Sequence, residues 1–185
     1  MATAAQARAT IDDLCRVDGK AELIDGRIVR FMPTGEIPSV VAAEIFISLH
    51  AHAKRSGQGR ACTDGLGFTV PMLKSGRESF CPDTSYHAGP FPANGMRFVP
   101  AAPTFAVEVR EGDHGPAAEC EMAAKRADYF EAGTLVVWDV DPVAGFIHVY
   151  RRDQPDQPVT YGRGTTAEAE PAVAGWRVAV DEVMG

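Results

Sequence analysis

The chain has 185 residues, 45% of them hydrophobic, which is enough for one domain with its own core, since domains run to roughly 100–200 residues. A formal net charge of −7 excludes a broadly basic nucleic-acid coat but leaves room for a local basic cleft. No apolar run approaches the roughly 20 residues needed to cross a bilayer, and the alanine-rich start lacks the continuous apolar stretch of a secretory signal; the expected setting is cytoplasmic, with no membrane.

Residues 1–18 read as an N-terminal extension carrying one short helix, TIDDLCRV, with Thr10 as N-cap and Asp13 as its partner three residues on. AELIDGRIVRFM reads as a β-hairpin turning at Asp25-Gly26. The clearest helix is SVVAAEIFISLHAHAKRSG: Ser39 caps it, Val41, Ile45 and Leu49 recur at helical spacing, and Gly57 stops it. Short strands follow in ACTD, GFTVPM, SFCPDTSY and TFAVEVR, and the Pro- and Gly-rich residues 88–103 form a loop. PAAECEMAAKRADYFEAG is a second helix, with Pro116 near its start and Gly133 past its end. LVVWDVD is apolar almost throughout, as a strand buried on both faces should be, with Val136, Val137 and Trp138 inside. GFIHVYRR follows through a turn at Asp141-Pro142, and AGWRVAVDEVM closes the chain as a last strand or edge segment. This order predicts a single α/β domain over residues 1–185, a sheet with a helix on each side.

The four cysteines, Cys15, Cys62, Cys81 and Cys120, form no C-x-x-C pair and read as reduced thiols. His50 and His52 are two apart on a helix and point in different directions, so they do not chelate. His87, at an even spacing from Asp83, and His114, in the loop after Glu108, could each touch the site discussed next. Glu44, on the first long helix, reads as a solvent-facing glutamate, with a site role as the alternative.

Glu108 lies inside an apolar strand, with Arg110 two residues on and therefore on the same face. Burying an ionised carboxylate requires a cation, a metal or hydrogen bonds. Either Arg110 neutralises Glu108, or both face a polar site. Asp83, just after Pro82 and inside or at the end of a strand, is a second carboxylate in a neighbouring strand, unless it is simply an aspartate bonding the backbone there, and Lys125 stands in the middle of the next helix. Two carboxylates from adjacent strands can hold one hard divalent cation such as Mg²⁺, which takes oxygen ligands and keeps several waters. Such an ion stabilises charge on a phosphoryl group and activates a bound water, with Arg110 or Lys125 beside it to neutralise phosphorus-centred charge. Lys125 could instead pair with Glu121, four residues earlier.

In the order ELIDGRIV, CPDTSY, FAVEV, KRADYFEAGTLVVWDVDP, HVYR and AGWRVAV, from about Glu22 to Val180, the chain resembles the Uma-two family within the PD-(D/E)XK restriction-endonuclease-like superfamily. The resemblance implies a central mixed β-sheet flanked by helices, and a metal-dependent DNA endonuclease hydrolysing phosphodiester bonds. It implies Mg²⁺ or Mn²⁺ held by Asp83 and Glu108, Arg110 at the usual lysine position, and the lysine role passed to Lys125. DNA would be the substrate, and a homodimer would follow from the need to cut two strands. Two departures, REGDHGP after the glutamate strand and Ser39 where a histidine is common, keep open a non-catalytic nuclease-fold protein that binds nucleic acid or a partner protein.

Overall fold

The computed structural model describes residues 7–112 and 115–185. Helix α1 (Ile11–Leu14) starts on a capping box, with the Asp13 amide donating to Thr10 Oγ1 at 3.2 Å and the Thr10 amide to Asp13 Oδ2 at 2.9 Å. Strands β1 (Ala21–Ile24) and β2 (Arg27–Arg30) pair antiparallel around Asp25 and Gly26. Both turn residues have positive φ, 50° and 67°, the conformation a two-residue type I′ hairpin demands.

Helix α2 (Glu36–Ser56) begins a turn earlier than Ser39. Gly35 is its N-cap, and the Ser39 amide already donates to the Gly35 carbonyl at 3.2 Å. Pro38 falls in the first turn, where no intrahelical amide donor is needed. The helix ends at Gly57 in the left-handed conformation. Next come β3 (Arg60–Thr63), β4 (Phe68–Thr69), β5 (Ser79–Phe80), β6 (Thr84–His87) and β7 (Phe105–Val109). SFCPDTSY, expected as one strand, is split into β5 and β6 at Pro82, which has no amide to give a ladder. Helix α3 (Pro116–Ala132), β8 (Val136–Asp141) and β9 (Phe146–Arg151) follow as expected. Strand β10 (Gln154–Gly162) is not among the expected elements; it is a sheet edge, where its Pro155 and Pro158 are tolerated. The chain ends with β11 (Thr166–Glu168), β12 (Arg177–Ala179) and a short helix α4 (Val180–Met184) where continued strand was expected.

Six strands form one mixed sheet in the order β10-β9-β8-β7-β6-β3, in which β7 and β8 alone are parallel. Parallel neighbours need a crossover, and α3 supplies it. The sheet, its flanking helices and the N-terminal hairpin are the α/β architecture expected. Val41, Ile45 and Leu49 of α2 pack on one face, against Phe105, Val107, Trp138 and Val149. On the other face Tyr129 of α3 packs with Phe68, Phe80, Ala106 and Val137. Val136, Trp138 and Val140 are fully buried, so β8 is central. Trp138 stacks on Trp176 at 5.0 Å, and Trp176 donates to Ser48 Oγ at 3.2 Å. No helix among the described residues is long and apolar enough to cross a membrane.

Candidate functional site

Strands β6 and β7 pair with Thr84 opposite Val107. The ladder ends at that pair, and Asp83 and Glu108 each lie one residue beyond it on their own strands' side of the β6–β7 junction. The Asp83 amide donates to the Val107 carbonyl at 3.1 Å, and the Val109 amide donates to Asp83 Oδ2 at 2.8 Å. Asp83 is thus held by backbone through both its amide and its Oδ2, near enough to Glu108 for its charge to act on the Glu108 carboxyl.

A third carboxylate joins them from the hairpin. The amide of Leu23 donates to Ser79 Oγ at 2.7 Å and that of Glu78 to the Leu23 carbonyl at 2.8 Å. These bonds dock β1 on the residues around β5. Glu22, fully buried, then accepts from the Cys81 amide at 2.9 Å and from Arg77. Arg77 also donates to Asp128 Oδ2 at 2.8 Å, so it ties the hairpin to α3.

From α3, Lys125 Nζ lies 2.8 Å from Glu108 Oε1 and 3.4 Å from Glu22 Oε1. It pairs with these two and not with Glu121. One turn along, Tyr129 donates its hydroxyl to Glu108 Oε1 at 2.6 Å. Lys20 Nζ lies 2.6 Å from Asp83 Oδ1 and 2.9 Å from Asp64 Oδ1. The ring of Phe31 covers both ammonium groups, at 5.9 Å from Lys20 and 5.6 Å from Lys125, within cation–π range.

Electrostatically the two glutamates diverge. Burial pushes both carboxyls up. At Glu22 the charges of Lys125 and Arg77 outweigh it and hold the carboxyl below its ordinary value. At Glu108 burial dominates, Lys125 opposes it, and the neighbouring Asp83 and Glu22 charges add to it, so its carboxyl stays raised. Burial would lower the Lys125 ammonium, but Glu108 and Glu22 hold it above the usual lysine value. Lys20 is also raised, its burial outweighed by Asp83 and Asp64. Five carboxylates, Glu22, Asp64, Asp83, Glu108 and Asp128, face three cations, Lys20, Arg77 and Lys125. Fully ionised, the cluster lacks two positive charges.

Arg110 departs from the expected geometry. It lies one residue beyond β7, and its guanidinium grips Asp139 of β8 through Nε and Nη2, each at 2.7 Å, and also Glu119 of α3. The parallel register places Asp139 beside Glu108, so Arg110 shares the face of Glu108 but turns sideways along the sheet. Glu44 is exposed on α2. His50 stacks on Phe46, and His52 meets the Ala174 carbonyl. His114 lies outside the described residues. Of the cysteines, Cys81 alone is buried, and Cys15 and Cys120 are exposed.

His87 is buried between the rings of Phe68 and Phe91, facing away from solvent at 4% exposure. Burial lowers its pKa from 6.5, against a smaller upward pull from the backbone at Pro90 and Ala102. The unfolded chain therefore takes up the proton first. Stability is expected to be full above pH 6.5 and to fall as the pH drops below it. His87→Phe should remove that part of the slope, as read from urea midpoints across this range.

Among the described residues no group of three or more His, Cys, Asp or Glu side chains is arranged to hold a metal ion. Asp83 and Glu108 are the two carboxylates that the β6–β7 junction brings near one another, in a cluster short of two positive charges. A hard divalent cation that keeps several waters asks for no more than one or two carboxylates.

A family model, Uma2, described as "Putative restriction endonuclease", matches residues 9–181. Among solved structures the chain is similar to one from Anabaena variabilis described as a putative nuclease belonging to DUF820, with 20% identity, a TM-score of 0.72, and 95% of this chain and 97% of that one covered. At that identity the likeness bears on the fold alone. No curated protein matches the chain.

Proposed function

The chain belongs to the Uma2 family, and from that premise we propose that it is a divalent-metal-dependent endonuclease hydrolysing phosphodiester bonds of DNA, with Mg²⁺ or Mn²⁺ held by Asp83 and Glu108. The observation that supports this most is the proximity of the Asp83 and Glu108 carboxylates at the β6–β7 junction, backed by Lys125 and set in a cluster two positive charges short. When bound, the metal would supply a Lewis acid for the phosphoryl oxygen and a lowered pKa for a coordinated water.

The protein's own groups divide the remaining work. Tyr129 and Lys125 both engage Glu108 Oε1, which fixes the rotation of the carboxylate. Asp83 is oriented by the Val109 amide. Lys125 carries a compact ammonium that can swing from Glu108 toward charge developing on phosphorus, a role suited to lysine's point charge. Lys20, held by Asp83 and Asp64, is placed to meet a neighbouring phosphate. Arg110, spent on Asp139 and Glu119, is assigned to clamping β7, β8 and α3 together.

The test is cleavage of plasmid, linear duplex and single-stranded DNA with Mg²⁺ or Mn²⁺. Cleavage should disappear in EDTA and fall by about a hundredfold or more in Glu108→Gln. Metal should also raise the melting temperature by mass action on the native state, and Asp83→Asn with Glu108→Gln should abolish the rise. A folded protein that cuts none of the substrates and shows no thermal response to metal would leave the non-catalytic reading in its place.

A further inference from the structure

Next to Asp83 the surface opens into a cavity of about 170 Å³ that the ion pairs leave empty. Pro38, Ala43 and Phe46 of α2 form its apolar wall, and Thr63, Asp64 and Asp83 form the polar one. The hydroxyls of Ser39 and Thr63 line the same space and make no side-chain hydrogen bond among the described residues. Asp64 is half-exposed there, with Lys20 on one oxygen.

An anion is the wrong occupant, since two carboxylates border the cavity. A neutral, flat group suits it better: one face against Ala43 and Phe46, and an edge that turns an N–H toward a carboxylate and carbonyl oxygens toward the hydroxyls of Ser39 and Thr63. Asp83 belongs both to this cavity and to the carboxylate pair, so its occupant lies within one nucleotide of a phosphate held there. We propose that the cavity receives one unpaired nucleobase of the strand being cut, which makes the preferred substrate single-stranded or locally unpaired DNA. In a duplex the base edge is paired and the faces are stacked, so a base reaches such a pocket only after leaving the stack. This inference rests on the nuclease reading above.

The test compares three ligands in Ca²⁺, to slow hydrolysis: an oligothymidylate of about a dozen nucleotides, an abasic deoxyribose-phosphate strand of the same length, and a duplex of that length. Fluorescence anisotropy should show the oligothymidylate binding about tenfold more tightly than either of the others. Ala43→Phe and Ala43→Leu, at an exposed helix position, should fill the cavity and bring oligothymidylate down to the abasic level while leaving abasic binding unchanged. Equal binding of all three ligands, a preference for duplex, or variants without effect would overturn the nucleobase cavity and leave the nuclease reading standing. Absence of binding to any ligand, together with absence of metal-dependent cleavage, would overturn both.

Discussion

Replacing Lys125 with Met is expected to lower DNA cleavage by about a hundredfold or more and, in EDTA, to destabilise the fold by about 3–5 kcal/mol. Both effects have one cause. The ammonium lies between Glu108 and Glu22, and the buried side chain of Glu22 has no solvent to turn to. Without it two buried carboxylates repel each other across the gap. A divalent ion at Glu108 would offset part of that repulsion, so the variant should regain more stability from Mg²⁺ than the wild-type protein does. Lys125→Arg should restore much of the stability and little of the cleavage, because a planar guanidinium keeps the charge but not the compact shape. Chemical denaturation with and without Mg²⁺, beside plasmid cleavage, separates the two effects. A Lys125→Met protein as stable and as active as wild type would remove Lys125 from the site.

Arg77→Met is expected to be the most destabilising change away from the metal pair, at about 3–5 kcal/mol at neutral pH. Arg77 is the shared partner of Glu22 on the hairpin and Asp128 on α3, and its loss leaves buried Asp128 without its cation and buried Glu22 with Lys125 alone. The pH dependence identifies the cause. Because the Glu22 carboxyl is held below 4.5 in the folded protein, its stabilisation is present above that pH and is lost as the pH falls through the lower folded value. In Arg77→Met that carboxyl should titrate higher. The stability difference between variant and wild type should therefore be wide at neutral pH and narrow below about pH 4.5. Urea midpoints measured across the acid range check this, and a pH-independent difference would point to lost packing against Phe80 instead.

Much of this architecture is legible in local pattern. Asp25-Gly26 gives the hairpin, Gly57 and Gly133 end the long helices, and the apolar run of β8 marks the central strand. Alternation inside FAVEV also shows that Glu108 faces away from Phe105, Val107 and Val109, although the strand break at Pro82 beside Asp83 is not legible in SFCPDTSY. What is not legible depends on partners distant in sequence. Glu22 sits in a segment that reads as ordinary hairpin strand, and its burial comes from residues 77–81 and from Lys125. An acidic side chain just before the apolar pair Leu23-Ile24 was the available signal. Arg110 shows the limit of alternation: strand geometry gives its face, but the parallel register with β8 decides which carboxylate it meets. Lys125 is likewise ambiguous on its own helix, where Glu121 is a sound i,i+4 partner; the packing of α3 over β7 selects Glu108.

Anomalous diffraction from crystals soaked in Mn²⁺ would locate the divalent ion proposed for Asp83 and Glu108. A single strong peak between these two carboxylates, at oxygen distances near about 2.1 Å, with Lys125 moved off Glu108 or turned toward the cleft, is the predicted result. A fully soaked crystal with no peak there, the Lys125–Glu108 pair unbroken and manganese only at surface carboxylates, would contradict it.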